Sequence, residues 1–317
     1  MSGAREAARV LVDTDPGLDD LLALAFALAA PELRVEALTT VAGNAPLAAV
    51  TENAARFLEW SGSRIPLGEG AAEPLDLSPR DALEFHGEHG RAGLWLPEAQ
   101  QPAPDSALRL LRRCLGEGRL DRIVALGPLT NLALLLREEA ELLAGVEIVW
   151  MGGSLAGGNV TPWAEFNCYA DPSAAATVLG SGLRIRVIGL EVTRQCRLRP
   201  SDLPPEPFGR GPRAEWLAEL LNLLMQAEGR SAGTPRATLH DPAAVAAAID
   251  PGLFDFEPRR VVVDVAEGER RGEIVERSGP GGPAVQWAVA VDAPRLIERF
   301  LDNLRDWAGA EATRRAL

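Results

Sequence analysis

Four carboxylates fall within eight residues in DTDPGLDD, Asp13 to Asp20 of this 317-residue chain. Pro16 and Gly17 supply a turn, and Asp19 and Asp20 fall where a helix should begin, a place whose dipole tolerates negative charge. That benefit does not extend to Asp13 and Asp15. Carboxylates this crowded repel one another unless a cation compensates them, and a ligand set made only of oxygen suits a hard ion such as calcium or magnesium. The plainer reading is an acidic helix cap on a solvated turn.

The elements that must hold this cluster alternate along the chain. Short apolar runs read as strands at Val10 to Val12, Val35 to Val41, Arg122 to Leu126, Val146 to Met151 and Ile185 to Leu190. Helical periodicity fills Leu21 to Ala30, Ala48 to Trp60, Ser106 to Leu115, Leu129 to Leu136 and Pro172 to Gly180. This is the pattern of an α/β fold, a Rossmann-like, mostly parallel sheet flanked by helices. Ligands of such sheets collect at the carboxyl ends of the strands, and DTDPGLDD follows the first one. The segment from Arg197 to Arg213 is rich in Pro and charge and reads as a connection or a flap. Beyond it a helix (Ala214 to Ala227), two late strands (Val261 to Val265 and Ala284 to Val291) and a final helix (Pro294 to Trp307) complete the body. One domain over 1–317 is expected, with a core at about 9–192 completed by about 193–310.

Composition removes several classes of function. The 32 basic and 45 acidic residues give a net charge of −13, and no basic stripe interrupts it, which disfavours a nucleic-acid or anionic-membrane surface. Every cation is arginine, since the chain contains no lysine. That excludes a P-loop lysine or a Schiff-base lysine. It also weighs against the haloacid-dehalogenase-type phosphatases, to which a DxD after the first strand is similar but which usually need a lysine. Three widely spaced cysteines, without a CxxC pair, fit a reducing compartment. The opening residues show no signal-peptide pattern and no apolar run suffices to span a bilayer, so the cytoplasm is the expected location.

DTDPGLDD resembles the signature of the inosine-uridine-preferring nucleoside hydrolases, and the resemblance continues in order. VAGN ends at Asn44, LGPLTNLA surrounds Thr130, MGG begins at Met151, GNVTPWAEFN runs from Gly158 to Asn167, DPSAA starts at Asp171, and LHDP contains His240 and Asp241. The resemblance implies hydrolysis of ribonucleosides to ribose and free base. It implies calcium held by Asp15, Asp20, the Thr130 carbonyl and Asp241, with Asp15 also the base that takes a proton from water. The plainer role for Asp241 is a helix cap, since Asp-Pro before AAVAAAI is a good helix start.

It further implies that Asp19, Asn159, Glu165 and Asn167 grip the ribose, with Asn44 and Met151 nearby. Glu165 and Asn167, two apart, point the same way if their segment is extended. His240 would protonate the departing base, His86 would lie near the base site, and Asp13 would support the cluster from behind. A homodimer or homotetramer is implied as well. The stretch before His240, LLNLLMQAEGRSAGTPRAT, departs from the family by lacking the aromatic residues on which a base stacks, which leaves Trp95 and Trp163 as candidates for stacking or packing. His89 reads as a surface residue. Two rival functions remain at this point: a metal-dependent phosphatase using Asp13 or Asp15 as nucleophile, and a nucleoside-binding protein without catalysis.

Overall fold

Ala8–Thr14 forms β1, and its last five residues are buried on both faces, as expected of a strand inside a covered parallel sheet. The computed structural model describes residues 6–87, 89–100, 104–277, 279 and 281–315. The other strands are β2 (Leu33–Thr40), β3 (Leu67–Glu69), β4 (Asp105–Ser106), β5 (Arg122–Ala125), β6 (Glu147–Met151), β7 (Arg184–Ile188), β8 (Arg197–Leu198), β9 (Ala237–Thr238), β10 (Phe254–Arg259), β11 (Val261–Val263), β12 (Ile274–Glu276) and β13 (Val285–Val291). Nine of them form one sheet in the order β10-β13-β7-β6-β5-β1-β2-β3-β4. All its pairings are parallel except β10 with β13. β8 pairs with β9, and β11 with β12, as two separate antiparallel ribbons.

The helices are α1 (Leu18–Ala29), α2 (Leu47–Ser61), α3 (Leu83–His86), α4 (Ala107–Gly116), α5 (Thr130–Glu139), α6 (Phe166–Ala170), α7 (Pro172–Leu179), α8 (Leu190–Thr193), α9 (Pro212–Ala232), α10 (His240–Ile249) and α11 (Ala293–Arg315). Side chains alternate across β1, so Val10 and Val12 enter one core and Leu11 the other. The first core holds Leu21 of α1, Leu220 of α9, Ala243 of α10 and Phe300 of α11. The second holds Leu110 of α4, Leu132 of α5 and Ala175 of α7. Among the described residues no helix is long and apolar enough to cross a membrane.

Two features of this packing position the site. The sheet order places β1 between β2 and β5, so the chain runs outward from β1 through β2 to β4 and then returns to the other side of β1 at β5, and a crevice opens at the carboxyl ends where the direction reverses. α1 is apolar nearly all round because it is sandwiched, meeting α9, α10 and α11 as well as the sheet. Every residue of α10 from Ala243 to Ala248 is fully buried, and five of the six are alanine. Such small side chains let α10 lie close to α1.

The late strands differ from expectation. Val261 to Val265 is a strand only over Val261–Val263 and lies outside the main sheet. β10 went unread because Pro258 interrupts it, and the sheet places it at an edge, where a proline is tolerated. β3, β4, β8 and β9 are two or three residues long, too short for an alternating pattern. The 197–213 connection is anchored by the buried Leu198 and Phe208.

Phe300 meets Phe26 edge to face with ring centroids 5.4 Å apart, both rings inside the first core. Phe300→Ala is expected to lower stability by about 3–5 kcal/mol, seen as a lower urea midpoint with an unchanged slope.

Candidate active site

Asp15 follows directly on β1. Asn44 fixes it through two bonds: its main-chain N–H donates to Asp15 Oδ2 at 2.7 Å, and its Nδ2 donates to the Asp15 carbonyl at 3.1 Å. The same Nδ2 donates to Asp20 Oδ2 at 3.0 Å. Two glycines close around the carboxylate. A Cβ on Gly43 would stand 2.1 Å from Asp15 Oδ2, and one on Gly127 would stand 2.6 Å from Oδ1. Asp15 Oδ1 is buried and has no hydrogen-bond partner among the described residues. Asp13 sits behind, its Oδ1 accepting from Thr39 Oγ1 at 2.6 Å and Asn131 Nδ2 at 2.8 Å. Burial raises the Asp13 carboxyl to about 6, against the opposing pull of those two donors.

The first turns of α1 and α10 meet at this point. Oxygen atoms of Asp19, Asp20 and Asp241 lie within 4.8 Å of one another. Two positive helix ends therefore face the same small volume, but they do not neutralise it. Burial and then the charge of Asp20 push Asp15 and Asp19 well above the ordinary carboxylate range. Asp241 is raised first by burial, then by the charges of Asp19, Asp20 and Asp15. Asp20 is tied down by four donors, Thr14 Oγ1 at 2.6 Å, Gly17 N at 2.8 Å, Asn44 Nδ2 at 3.0 Å and the Asp15 main-chain N–H at 3.3 Å. Asp241 makes no capping bond, and the cap position belongs to Leu239, so the plain capping role does not describe it. An oxygen-only set that is buried, mutually repelling and partly unpartnered fits a hard divalent cation.

The structure does not bring Thr130 into this group. Thr130 starts α5, and its hydroxyl donates to Asp171 Oδ2 at 2.7 Å, whereas Gly127, three residues earlier, is the one that abuts the Asp15 carboxylate. The main chain that borders the cleft at this strand end is Leu126, whose carbonyl accepts from Asn167 Nδ2 at 2.6 Å.

A cleft of about 590 Å³ opens over the cluster, lined among others by Asp19, Asn44, His86, Met151, Asn159, Glu165, Asn167, His240 and Asp241. The 165–167 segment is not extended. Glu165 caps α6, accepting from the main-chain N–H of Asn167 (2.9 Å) and Cys168 (3.2 Å) and, across the cleft wall, of Gly153 (2.7 Å). Its proximity to Asn167 thus comes from a helix cap and not from strand alternation. Asn167 Nδ2 also donates to the Met151 carbonyl at 2.9 Å, which leaves its Oδ1 as the cleft-side acceptor. Asn159 Oδ1 accepts from Phe166 N at 3.0 Å.

Two histidines also line the cleft. His240 Nδ1 pairs with Thr193 Oγ1 at 2.9 Å, and burial, then Arg194 and Arg197, lower it to about 4. It is a neutral imidazole at pH 7. His86 Nδ1 accepts from the Leu18 N–H at 3.2 Å, capping α1, and burial lowers it to about 3. Neither tryptophan reaches the cleft. Trp95 is 65% exposed, and Trp163 lies under the Arg270 guanidinium, 4.1 Å from the ring centroid. The aromatic lining comes from Phe85 and Phe166 instead. His89 is exposed.

The sequence profile of the inosine-uridine preferring nucleoside hydrolases matches residues 10–298. The chain belongs to this family. It is 38% identical over 287 residues to the non-specific ribonucleoside hydrolase RihC of Escherichia coli (strain SE11), covering 89% of this chain and 93% of that protein. Among solved structures, a plant nucleoside hydrolase, the PpNRh1 enzyme, superposes with a TM-score of 0.87 at 34% identity, covering 94% of this chain and 99% of the other. The purine-preferring ribonucleoside hydrolase from Gardnerella vaginalis also gives 0.87, at 29% identity over 95% and 99% of the two chains.

As a nucleoside hydrolase, the chain contains site residues that motif reading passed over. Gly43 and Gly127 lie inside VAGN and LGPLTNLA, and their lack of a side chain is what admits Asp15. Arg194, Arg197, Glu228 and Arg236 line the cleft with no motif to mark them. Gly43→Ala is expected to displace the Asp15 carboxylate and lower kcat/KM by about 100-fold or more, with far-UV circular dichroism unchanged.

His86 carries a prediction about acid stability. Its folded-state pKa lies below the unfolded value, so the stability it contributes is present above pH 6.5 and is lost as pH falls from 6.5 toward 3. His86→Gln removes that dependence. The stability of the wild type relative to the variant, from urea midpoints, should therefore fall as pH drops through this window.

Proposed function

We propose that this chain hydrolyses the N-glycosidic bond of ribonucleosides, giving ribose and free base, with calcium as the resident cation. The observation that carries the reading is the Oδ1 of Asp15, buried and unpartnered among the described residues, within reach of the charges of the clustered Asp19, Asp20 and Asp241. The printed names of the relatives, a non-specific and a purine-preferring ribonucleoside hydrolase, support the substrate class.

Asp15, Asp20 and Asp241 would hold the cation, and the backbone oxygen we assign to it is that of Leu126 in place of Thr130. When bound, such an ion supplies a water of lowered pKa and a fixed positive charge for the ribose hydroxyls. Asp15 takes the proton from the attacking water, a task for which the Gly43 and Gly127 contacts and the Asn44 bond hold it rigid. Asp19, Asn159, Glu165 and Asn167 orient the ribose through its hydroxyls, and Asn44 and Met151 brace them. The water oxygen bonds to C1′ as the C1′–N bond breaks, the electron pair leaves with the base, and the transition state is oxocarbenium-like. In the tautomer whose Nδ1 accepts from the Thr193 hydroxyl, neutral His240 offers Nε2–H as a hydrogen-bond donor to the departing base, whose nitrogen takes up a proton as the attacking water loses one to Asp15. His86 borders the base site. The three cysteines are free and buried, which fits the reducing cytoplasm in which we place the protein.

A nucleoside binder without catalysis has no use for a carboxylate oxygen kept buried and unpaired.

Ribose release measured by reducing-sugar assay across inosine, adenosine, uridine, cytidine and their 2′-deoxy forms tests the reading. Ribonucleosides should be cleaved, 2′-deoxynucleosides far more slowly, and a calcium chelator should stop the reaction until calcium is returned. No release from any ribonucleoside would refute the function, and full activity after complete removal of calcium would refute the cation. Asp15→Asn is expected to lower kcat by on the order of 100- to 10,000-fold with folding intact.

A further inference from the structure

The stretch ahead of His240 lacks the aromatic residues of the family, and arginines line the cleft beside it. β8 and β9 pair antiparallel with Arg197 opposite Thr238. Directly opposed residues share a face, and so do residues two apart, so Arg197, Thr238 and Arg236 project from the same side of this ribbon. All three line the cleft, and Arg194, which follows α8, lines it beside them. Glu228 of α9 is the acid on this wall. It is held by Thr238 through main chain and hydroxyl and lies 3.5 Å from Arg236. Arg194 donates to the Gly158 carbonyl. No hydrogen bond or ion pair ties down the Arg197 guanidinium among the described residues. Burial, and then the charge of Arg236, lower its affinity for a proton, the mark of a cation held near like charges. Arg197 is exposed at the rim of the cleft, as are the acids Asp81 and Glu84.

Three guanidiniums against one committed carboxylate leave this wall with unspent positive charge, in a protein whose net charge is −13. The wall adjoins His240, the residue assigned to the departing base, since the charges of Arg194 and Arg197 reach its ring. We propose that the base-binding end of the cleft is an anion cradle that selects ribonucleosides whose base carries a ring carboxylate, with Arg197 as the residue that reads it. This rests on the nucleoside-hydrolase reading above. Arginine suits the task because its planar fork pairs with a carboxylate through two parallel bonds.

The test compares kcat/KM for uridine, 5-carboxyuridine, orotidine and uridine 5′-monophosphate, in wild type and Arg197→Gln. The two carboxylated nucleosides differ from uridine only in a carboxylate on adjacent ring carbons. At least one of them should be cleaved about tenfold or more better than uridine, the size of one charge-assisted contact. Arg197→Gln should lower the carboxylated-to-uridine ratio by a similar factor, and free orotate should inhibit the wild type more strongly than uracil does. Cleavage of uridine with neither carboxylated nucleoside favoured would overturn the proposal and leave the hydrolase reading standing. So would an unchanged ratio in Arg197→Gln. A preference for the 5′-monophosphate alone would also overturn it, by assigning the arginines to the far end of the ribose. No ribose from any substrate, inosine included, would overturn the hydrolase reading and this proposal together.

Discussion

The site depends on mutual repulsion held in place. Asp15, Asp19, Asp20 and Asp241 are brought together where water cannot screen them, and the fold must supply enough force to keep them there. It does so from both sides. Behind the cluster, β1 is fixed between β2 and β5, and Asn44 bonds to Asp15 and Asp20 at once. In front, α1 and α10 pack through small and aliphatic side chains, so that their first turns, each carrying acid, cannot separate without opening the core. Burial first, and then mutual repulsion, raise the carboxyls of Asp15, Asp19 and Asp241, and a bound cation would offset both.

Much of this was legible in the sequence because it is local. DTDPGLDD is one turn at the end of one strand, and alternating apolar runs and helical stretches imply a parallel sheet with ligands at its carboxyl ends. His240 and Asp241 were readable as partners of that turn only through the resemblance, since nothing in spacing says that residue 241 meets residue 20. The packing of α10 against α1 supplies that fact. Thr130 shows the limit of carrying a motif across. LGPLTNLA reaches the site, but it does so at Leu126, where β5 ends, and Thr130 has already turned into α5 and bonded to Asp171. Glu165 and Asn167 were expected together for a reason that does not hold, because a helix cap and not an extended strand pairs them.

What could not be read is the material that comes from distance or from absence of a side chain. Gly43 and Gly127 are unremarked letters inside two motifs, and their role appears only when a Cβ at either place would strike Asp15. β8 and β9 are two residues each, with no periodic signal, and they join positions some forty residues apart. That ribbon gathers Arg197 and Arg236 on the wall that a base must pass. The lining of the cleft thus joins acids of the cluster, Asp19 and Asp241, to arginines drawn from a distant part of the chain.

The claim on which the rest stands is that the carboxylate cluster holds one divalent cation. Calorimetric titration of calcium into chelator-treated protein tests it most directly. One calcium per chain should bind, and protons should be released as the raised carboxyls ionise. The site should be absent in Asp241→Asn. Failure of the wild type to bind calcium, or binding undiminished in Asp241→Asn, would contradict the account.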